Sequence, residues 1–394
     1  MADTWGIVKQ LLTAPDMQQK QLSKDMGKYI SLLQPNYSSI FSFLMNRGLE
    51  MPTIAQEFDW LEDEHIPFKT AVDHDTDDYD KDTDEIVVDE NTTKYFVKGD
   101  RVYNDTTGEV YLVTDIDHTT HTLTVTRGYG TDNMCSIPHE SVLLNIHNTN
   151  ALGADTVESR MTKAKRLFNY VQIFKKTADI DKSTAKHGLD VLANERMRQI
   201  TLRGQEHVAG IERAFLFGRR KADDDTYDKR AYNTGGLFQF IQSKVTTDDN
   251  GTLTETEFMD WLEDLFEYGS NEKMVFVGDI ISAALAKWYK NDLQVDPNFL
   301  QLGLSVAKVV TPSGKIAYVK HHEAFTRTSQ SLRGTALGLD MSHVKIRTYR
   351  PTVLNMGIQS PSADKYLDEW LTEIGLQVGQ EKHHAVLKGV TAYT

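Results

Sequence analysis

Between Asp190 and Phe217, apolar or small residues recur at Met197, Ile200, Gly204, Val208, Ile211 and Phe215. No other stretch restricts the chain so strongly, because steps of three or four keep one stripe of an α-helix facing inward. Glu195, Arg196, Arg203, Glu206, Glu212 and Arg213 fall on the other side and read as a solvated face. Asp190 is placed to accept the first free N–H groups, and Gly218 to end the helix in the left-handed conformation. At 1.5 Å per residue such a helix is a spine of roughly 40 Å. The pattern alone fits a long core helix of an enzyme equally well.

A chain of 394 residues, 40% apolar and 25% charged, has the composition of a globular protein of about two or three domains. Its one cysteine, Cys135, excludes an intrachain disulfide framework and is expected to be a buried, inert thiol in a reducing compartment such as a bacterial cytoplasm. The opening residues lack the basic and apolar regions of a secretory signal. No run of ~18 apolar residues occurs, so no membrane partner is expected.

The net charge of −14 is unevenly placed. Residues 57–90 hold fifteen Asp or Glu against two Lys, whereas 160–176 hold Arg160, Lys163, Lys165, Arg166, Lys175 and Lys176 and no acid. An acidic chain is a poor candidate for binding nucleic acid by phosphate neutralisation.

Residues 1–50 show modest helical patterning that ends in Ile40, Phe41, Phe43 and Leu44, either an arm ordered by a neighbour or the first helix of a compact domain. From Ile86 to Ile146 short alternating runs (IVV, YFV, RVY, EVYLVTDI, TLTVTRGYG, VLLNI) separated by glycine turns predict a β-module inserted at the tip of an excursion. Residues 167–174 are strand-like. Within 231–342, Thr254 and Glu257 predict a capping box, with Phe258, Trp261, Leu262 and Leu265 inward. A strand at 273–278, a helix capped by Asp279 and β-runs at 305–311 and 315–321 follow. A helix from Ser360 through Leu367, Trp370 and Leu371 and a β-pair over 373–390 packed on the spine close the chain.

Chemistry is sparse. Asp73, Asp75 and Asp77 begin like a calcium loop, but Asp78 replaces the turn glycine and Asp84 the final glutamate. Asp248, Asn250, Gly251 and Glu257 lack the first aspartate, since Thr246 stands there. No nucleophile elbow, phosphate loop, dinucleotide fingerprint or HExxH helix occurs. His321-His322 and His383-His384 are neighbours whose side chains point to opposite faces of a strand. The sequence assigns no catalytic residue, no cofactor and no metal.

FDWLEDE at 58–64, KGDRVYNDTTGEVYLVTDID with TLTVTRGYG over 98–130, FNYVQIFKKTADI at 168–180 and GLQVGQEKHHAVLKGV at 375–390, in this order around the spine, resemble the α+β Hong Kong 97-type fold of tailed-bacteriophage major capsid proteins. The likeness is to the subfamily with a β-domain inserted in its extended loop. It implies an N-terminal arm at 1–50, extended-loop legs at 51–85 and 150–180, and an inserted β-domain at 86–147. A peripheral domain at 181–230 and 343–394 and an axial domain at 231–342 complete it. It also implies a homo-oligomer of pentamers and hexamers around dsDNA, with non-specific contact to the packaged DNA. Portal and scaffold proteins, and in some relatives a decoration protein, are the implied partners. Trp60, Glu62, Asp63, Arg160, Lys163, Lys165 and Arg166 are the expected inter-subunit contacts, the acidic leg pairing with the basic leg of a neighbour. The legs can instead neutralise each other within one subunit. The other readings are a decoration or tail protein, an enzyme, or a calcium-dependent protein.

Overall fold

A computed structural model describes residues 40–73, 78–90, 92–130, 134–150, 152–153, 161–187, 195–223, 230–248, 250–289, 294–295, 307–327 and 329–394. The arm before Ile40, Asp75 and Asp77, Arg160 and the expected cap Asp190 lie outside them. The chain forms two compact units, one of residues 1–60 with 168–394, the other of 61–167.

In the larger unit the spine helix runs over Glu195–Phe217. Its inward face is Ile200, His207, Ala209, Ile211, Phe215 and Leu216, while Met197 is 46% exposed. The solvated face needs correcting at both ends. Glu195 is buried between Arg198 and Gln199, whose side chains donate to it, and Glu212 is 2% exposed inside the core. Gly218 is not left-handed either. A Cβ there would lie 2.4 Å from the carbonyl of Ala214 and 2.5 Å from that of Thr234, so close backbone approach is what requires the glycine.

The spine packs on a four-stranded sheet of Glu50–Pro52, Val344–Asn355, Lys365–Val378 and Gln172–Asp181, in that order. The expected helix at 360–371 is therefore a strand. Leu367, Trp370 and Leu371 happen to fall at helical spacing, but from Lys365 on the segment pairs residue for residue with Gln172–Asp181 on one side and, with two register shifts, with Val344–Asn355 on the other. Two long ladders outweigh local propensity.

A mixed seven-stranded sheet follows the order Val245–Thr247, Ala385–Lys388, Ala336–Leu339, Glu272–Val277, Ile316–His321, Ala307–Val310, Gln294–Val295. The C-terminal strands thus do not pair with each other: Lys365–Val378 stays under the spine while Ala385–Lys388 joins this second sheet. Helix Glu255–Leu265 carries the complete Thr254–Glu257 capping box and buries Phe258, Trp261, Leu262 and Leu265. Gly278, not Asp279, caps Asp279–Trp288; Asp279 in its first turn accepts from Arg333 instead. Asp248 accepts from the N–H groups of Asn250 and Gly251 and Glu257 from Thr254, so the calcium-like spacing there is a turn and a cap.

The smaller unit is an antiparallel six-stranded sheet in the order Lys69–Ala71, Val142–Asn148, Asp100–Asn104, Val110–Asp117, Thr122–Thr126, Glu85–Val87. Bonds from Asp73 to Val87 and from Asp89 to Ala71 join its first and last strands, so it closes on itself and leaves no open edge. The module takes in Lys69–Ala71, upstream of residue 86, and YFV forms no strand: Tyr95 ends the 3-10 turn Thr93–Tyr95, and Phe96 and Val97 follow it. Tyr79, Ile86 and Val88 pin the acidic tract to this core. Glu109 and Arg127 form a doubly hydrogen-bonded pair, 1% exposed on each side, which also binds the backbone of Gly128 and Cys135. Burial pushes the Glu109 carboxyl up, but Arg127 and the two N–H groups hold it below its ordinary value. Cys135 is exposed, contrary to expectation, because its backbone is what the pair holds.

Candidate subunit interface

Glu57–Glu62 and Lys165–Tyr170 form a two-stranded ribbon. Alternation sets its inner side: Phe58 and Trp60 are buried and their rings stack at 6.1 Å, with Phe240 5.9 Å from Trp60. Trp60 is therefore a packing residue of its own subunit. Glu62 is half-buried. Asp63, Lys163, Lys165 and Arg166 are exposed, and Arg160 lies outside the described residues. The Thr162 hydroxyl donates to Asp63 at 2.9 Å, so acidic and basic legs meet within one chain. Lys175 pairs with Glu369 at 3.5 Å, again within one chain. Beside these charges stand bare apolar side chains: Leu61 is 71% exposed, Met161 88% and, just upstream, Ile54 96%.

The ribbon's root is fixed by a residue the sequence reading missed. Asn169 is fully buried; its amide donates to Thr234 Oγ1, Gly235 O and Leu376 O, and its Oδ1 accepts from the N–H groups of Tyr170 and Gly235. A polar residue at an inward position of the FNYVQIF run was the available signal.

Two further networks hold the elements that carry the ribbon. Arg196 grips Asp368 with two bonds of 2.7 and 2.8 Å, holding that carboxyl low; Trp370 donates to the Ile200 carbonyl; and His207 shares a 2.7 Å bond with Thr372. Burial, with Lys176 nearby, lowers the His207 pKa and keeps the ring neutral. At the far end of the spine, Glu212 accepts from the backbone N–H groups of Ile40 and Phe41 at 2.8 and 2.9 Å and meets His322 Nε2 at 2.8 Å. It thereby fixes the helix Ile40–Asn46, whose Ile40, Phe41, Phe43 and Leu44 enter the core.

A long helix docked on the long-stranded sheet, a second mixed sheet and a two-stranded excursion bearing exposed apolar and charged groups define an α+β subunit of the Hong Kong 97 type. The family profile described as SU10 major capsid protein matches residues 10–391. The chain belongs to that family: it is a major capsid protein, a structural component of the phage virion that self-assembles into the head shell. No curated protein matches it. Among solved structures, the capsid of Myoviridae phage XM1 is 11% identical at a TM-score of 0.45, over 95% of this chain and 99% of that one. The capsid of a native GTA particle is 8% identical at 0.48, over 97% and 100%. A Mycobacterium phage Bobi chain is 8% identical at 0.45, over 94% and 96%.

Proposed function

We propose that the subunit forms pentamers and hexamers of an icosahedral shell around a dsDNA genome, with the ribbon of Glu57–Glu62 and Lys165–Tyr170, inside the extended-loop legs at 51–85 and 150–180, reaching a neighbouring subunit. Residues 231–342 serve as the axial domain, joined there by the strand Ala385–Lys388, and 181–230 with the part of 343–394 up to Val378 as the peripheral domain. The observation that carries this reading is the bare apolar set Ile54, Leu61 and Met161 on and beside the ribbon. Burying one such side chain is worth roughly 1.5–3 kcal/mol, whereas an exposed ion pair is worth ~0–1 kcal/mol. The apolar residues therefore supply the affinity between subunits. Asp63, Lys163, Lys165 and Arg166 set approach and register, and salt weakens them over a screening length of ~8 Å.

The role is structural, without catalysis or cofactor. Synthesis in a host bacterial cytoplasm, portal and scaffold partners, a decoration protein on the outer face and non-specific contact with packaged DNA belong to the same reading. No helix of the described residues is long and apolar enough to cross a membrane. The test is sedimentation and negative-stain microscopy of the purified chain. Leu61→Glu with Met161→Glu is expected to leave folded but unassembled subunits, and Lys163→Glu with Lys165→Glu to slow assembly most at low salt. Shells forming from the first variant at the wild-type threshold concentration would overturn the proposal.

A further inference from the structure

Asp340, His343 and His383 come together where the chain passes between the two sheets of the larger unit. Asp340 follows strand Ala336–Leu339, His343 ends the turn Met341–His343, and His383 ends the turn Glu381–His383. One ligand atom from each lies within 4.8 Å of the others. The two imidazoles meet edge to face with centroids 4.4 Å apart. Two independent observations mark the space between them. Among the described residues the buried His383 Nδ1 has no hydrogen-bond partner, although nearly all buried polar atoms find one. Gly269, at φ +89°, faces the same spot: a Cβ there would lie 2.6 Å from Asp340 Oδ2 and 3.2 Å from His383 Nδ1. The glycine keeps clear the place where the carboxylate and the imidazole converge.

The frame around the trio is already rigid. Asp340 Oδ1 accepts from the N–H and hydroxyl of Ser342, and Oδ2 from the N–H and hydroxyl of Ser270. His384 Nδ1 accepts from the Asp340 N–H, and the Gly379 N–H donates to the His343 carbonyl. Lys273 donates to the carbonyls of Leu265, Tyr268 and His383 itself, which fixes the backbone that presents the ring. Such outer contacts are what orient ligands in metal sites. The Lys273 ammonium opposes a second cation, and the Asp340 carboxylate offsets it.

We propose that Asp340, His343 and His383 bind a first-row divalent transition metal, of which zinc is the natural example, clamping the start of strand Val344–Asn355 to the turn that leads into Ala385–Lys388. Two imidazoles and one carboxylate are a donor set for zinc, cobalt or iron and not for calcium or magnesium, which favour oxygen alone. Bonds of about 2.0–2.2 Å require the three ligand atoms to draw somewhat closer, a movement within reach of side-chain rotation.

The test is titration of untagged, chelator-treated full-length subunit with Co(II). The expected result is one equivalent bound, visible d–d bands, and displacement by Zn(II). His343→Gln and His383→Gln are each expected to weaken binding at least tenfold while the metal-free melting temperature stays close to wild type. The two variants serve as independent checks on each other. Failure of the wild type to bind cobalt above background, or wild-type affinity in either folded variant, would refute the site.

Discussion

Glu212→Ala tests whether the spine holds the helix Ile40–Asn46 through one carboxylate. The substitution removes the acceptor for the N–H groups of Ile40 and Phe41 and the partner of His322. All three residues are buried, at 1%, 8% and 1% exposure, so water does not readily replace it. An unsatisfied buried donor costs about 1–3 kcal/mol, and fraying of the short helix relieves part of the sum, leaving a loss of roughly 3–5 kcal/mol. With an unfolding entropy of ~2.1 cal/mol/K per residue over a unit of about 290 residues, that loss lowers Tm by roughly 5–8 °C. Glu212→Gln keeps one oxygen acceptor and is expected to lose about half as much. Urea and thermal unfolding of unassembled subunits measure both, and limited proteolysis reports whether Ile40–Asn46 detaches first. A loss under about 1 kcal/mol for Glu212→Ala, with unchanged cleavage near residue 45, would show that Phe41 and Leu44 hold the helix by packing alone.

Three more outcomes follow from buried charge and close backbone packing elsewhere in the subunit. Lys320 is 4% exposed with no partner for its ammonium among the described residues, and burial draws its pKa down to about 8 despite nearby Glu212. The unfolded chain holds that proton up to about 10.4, so stability rises as pH climbs between these values and the penalty is full below the lower one. Lys320→Met is expected to stabilise the subunit at pH 7 by roughly 1–3 kcal/mol in urea melts, with the gain shrinking above pH 8. Arg127→Leu strands the Glu109 carboxylate inside the small module and should cost about 3–5 kcal/mol; an unchanged melting profile of that module by hydrogen exchange would count against the pair. Gly218→Ala, against the usual gain of about 0.4–1 kcal/mol for such a change, should lose roughly 2–4 kcal/mol in thermal melts because its Cβ meets two carbonyls.

What the sequence displayed was what local chemistry decides. The Thr254–Glu257 box and the inward face of its helix depend on neighbours three and four residues away, and both were legible. Glu195 and Glu212 looked solvated because a glutamate at a helical position gives no hint of its partner; for Glu212 that partner lies more than a hundred residues off, at Ile40, Phe41 and His322. The Ser360–Leu371 stretch read as a helix for the complementary reason, since the ladders that make it a strand come from distant segments. Among interface candidates, charge located the exposed Asp63, Lys163, Lys165 and Arg166, but burial claimed Trp60. Asp340, His343 and His383 have no ligand spacing that a linear reading can detect.

The closed β-module has a practical consequence. Its core, from Val72 to Leu143, shares no residue with the cores of the larger unit. Drift or replacement inside it is therefore felt first by residues of its own core. The turn Asp105-Thr106-Thr107-Gly108, between two of its strands and tipped by a left-handed glycine, is accordingly where inserted residues disturb that core least.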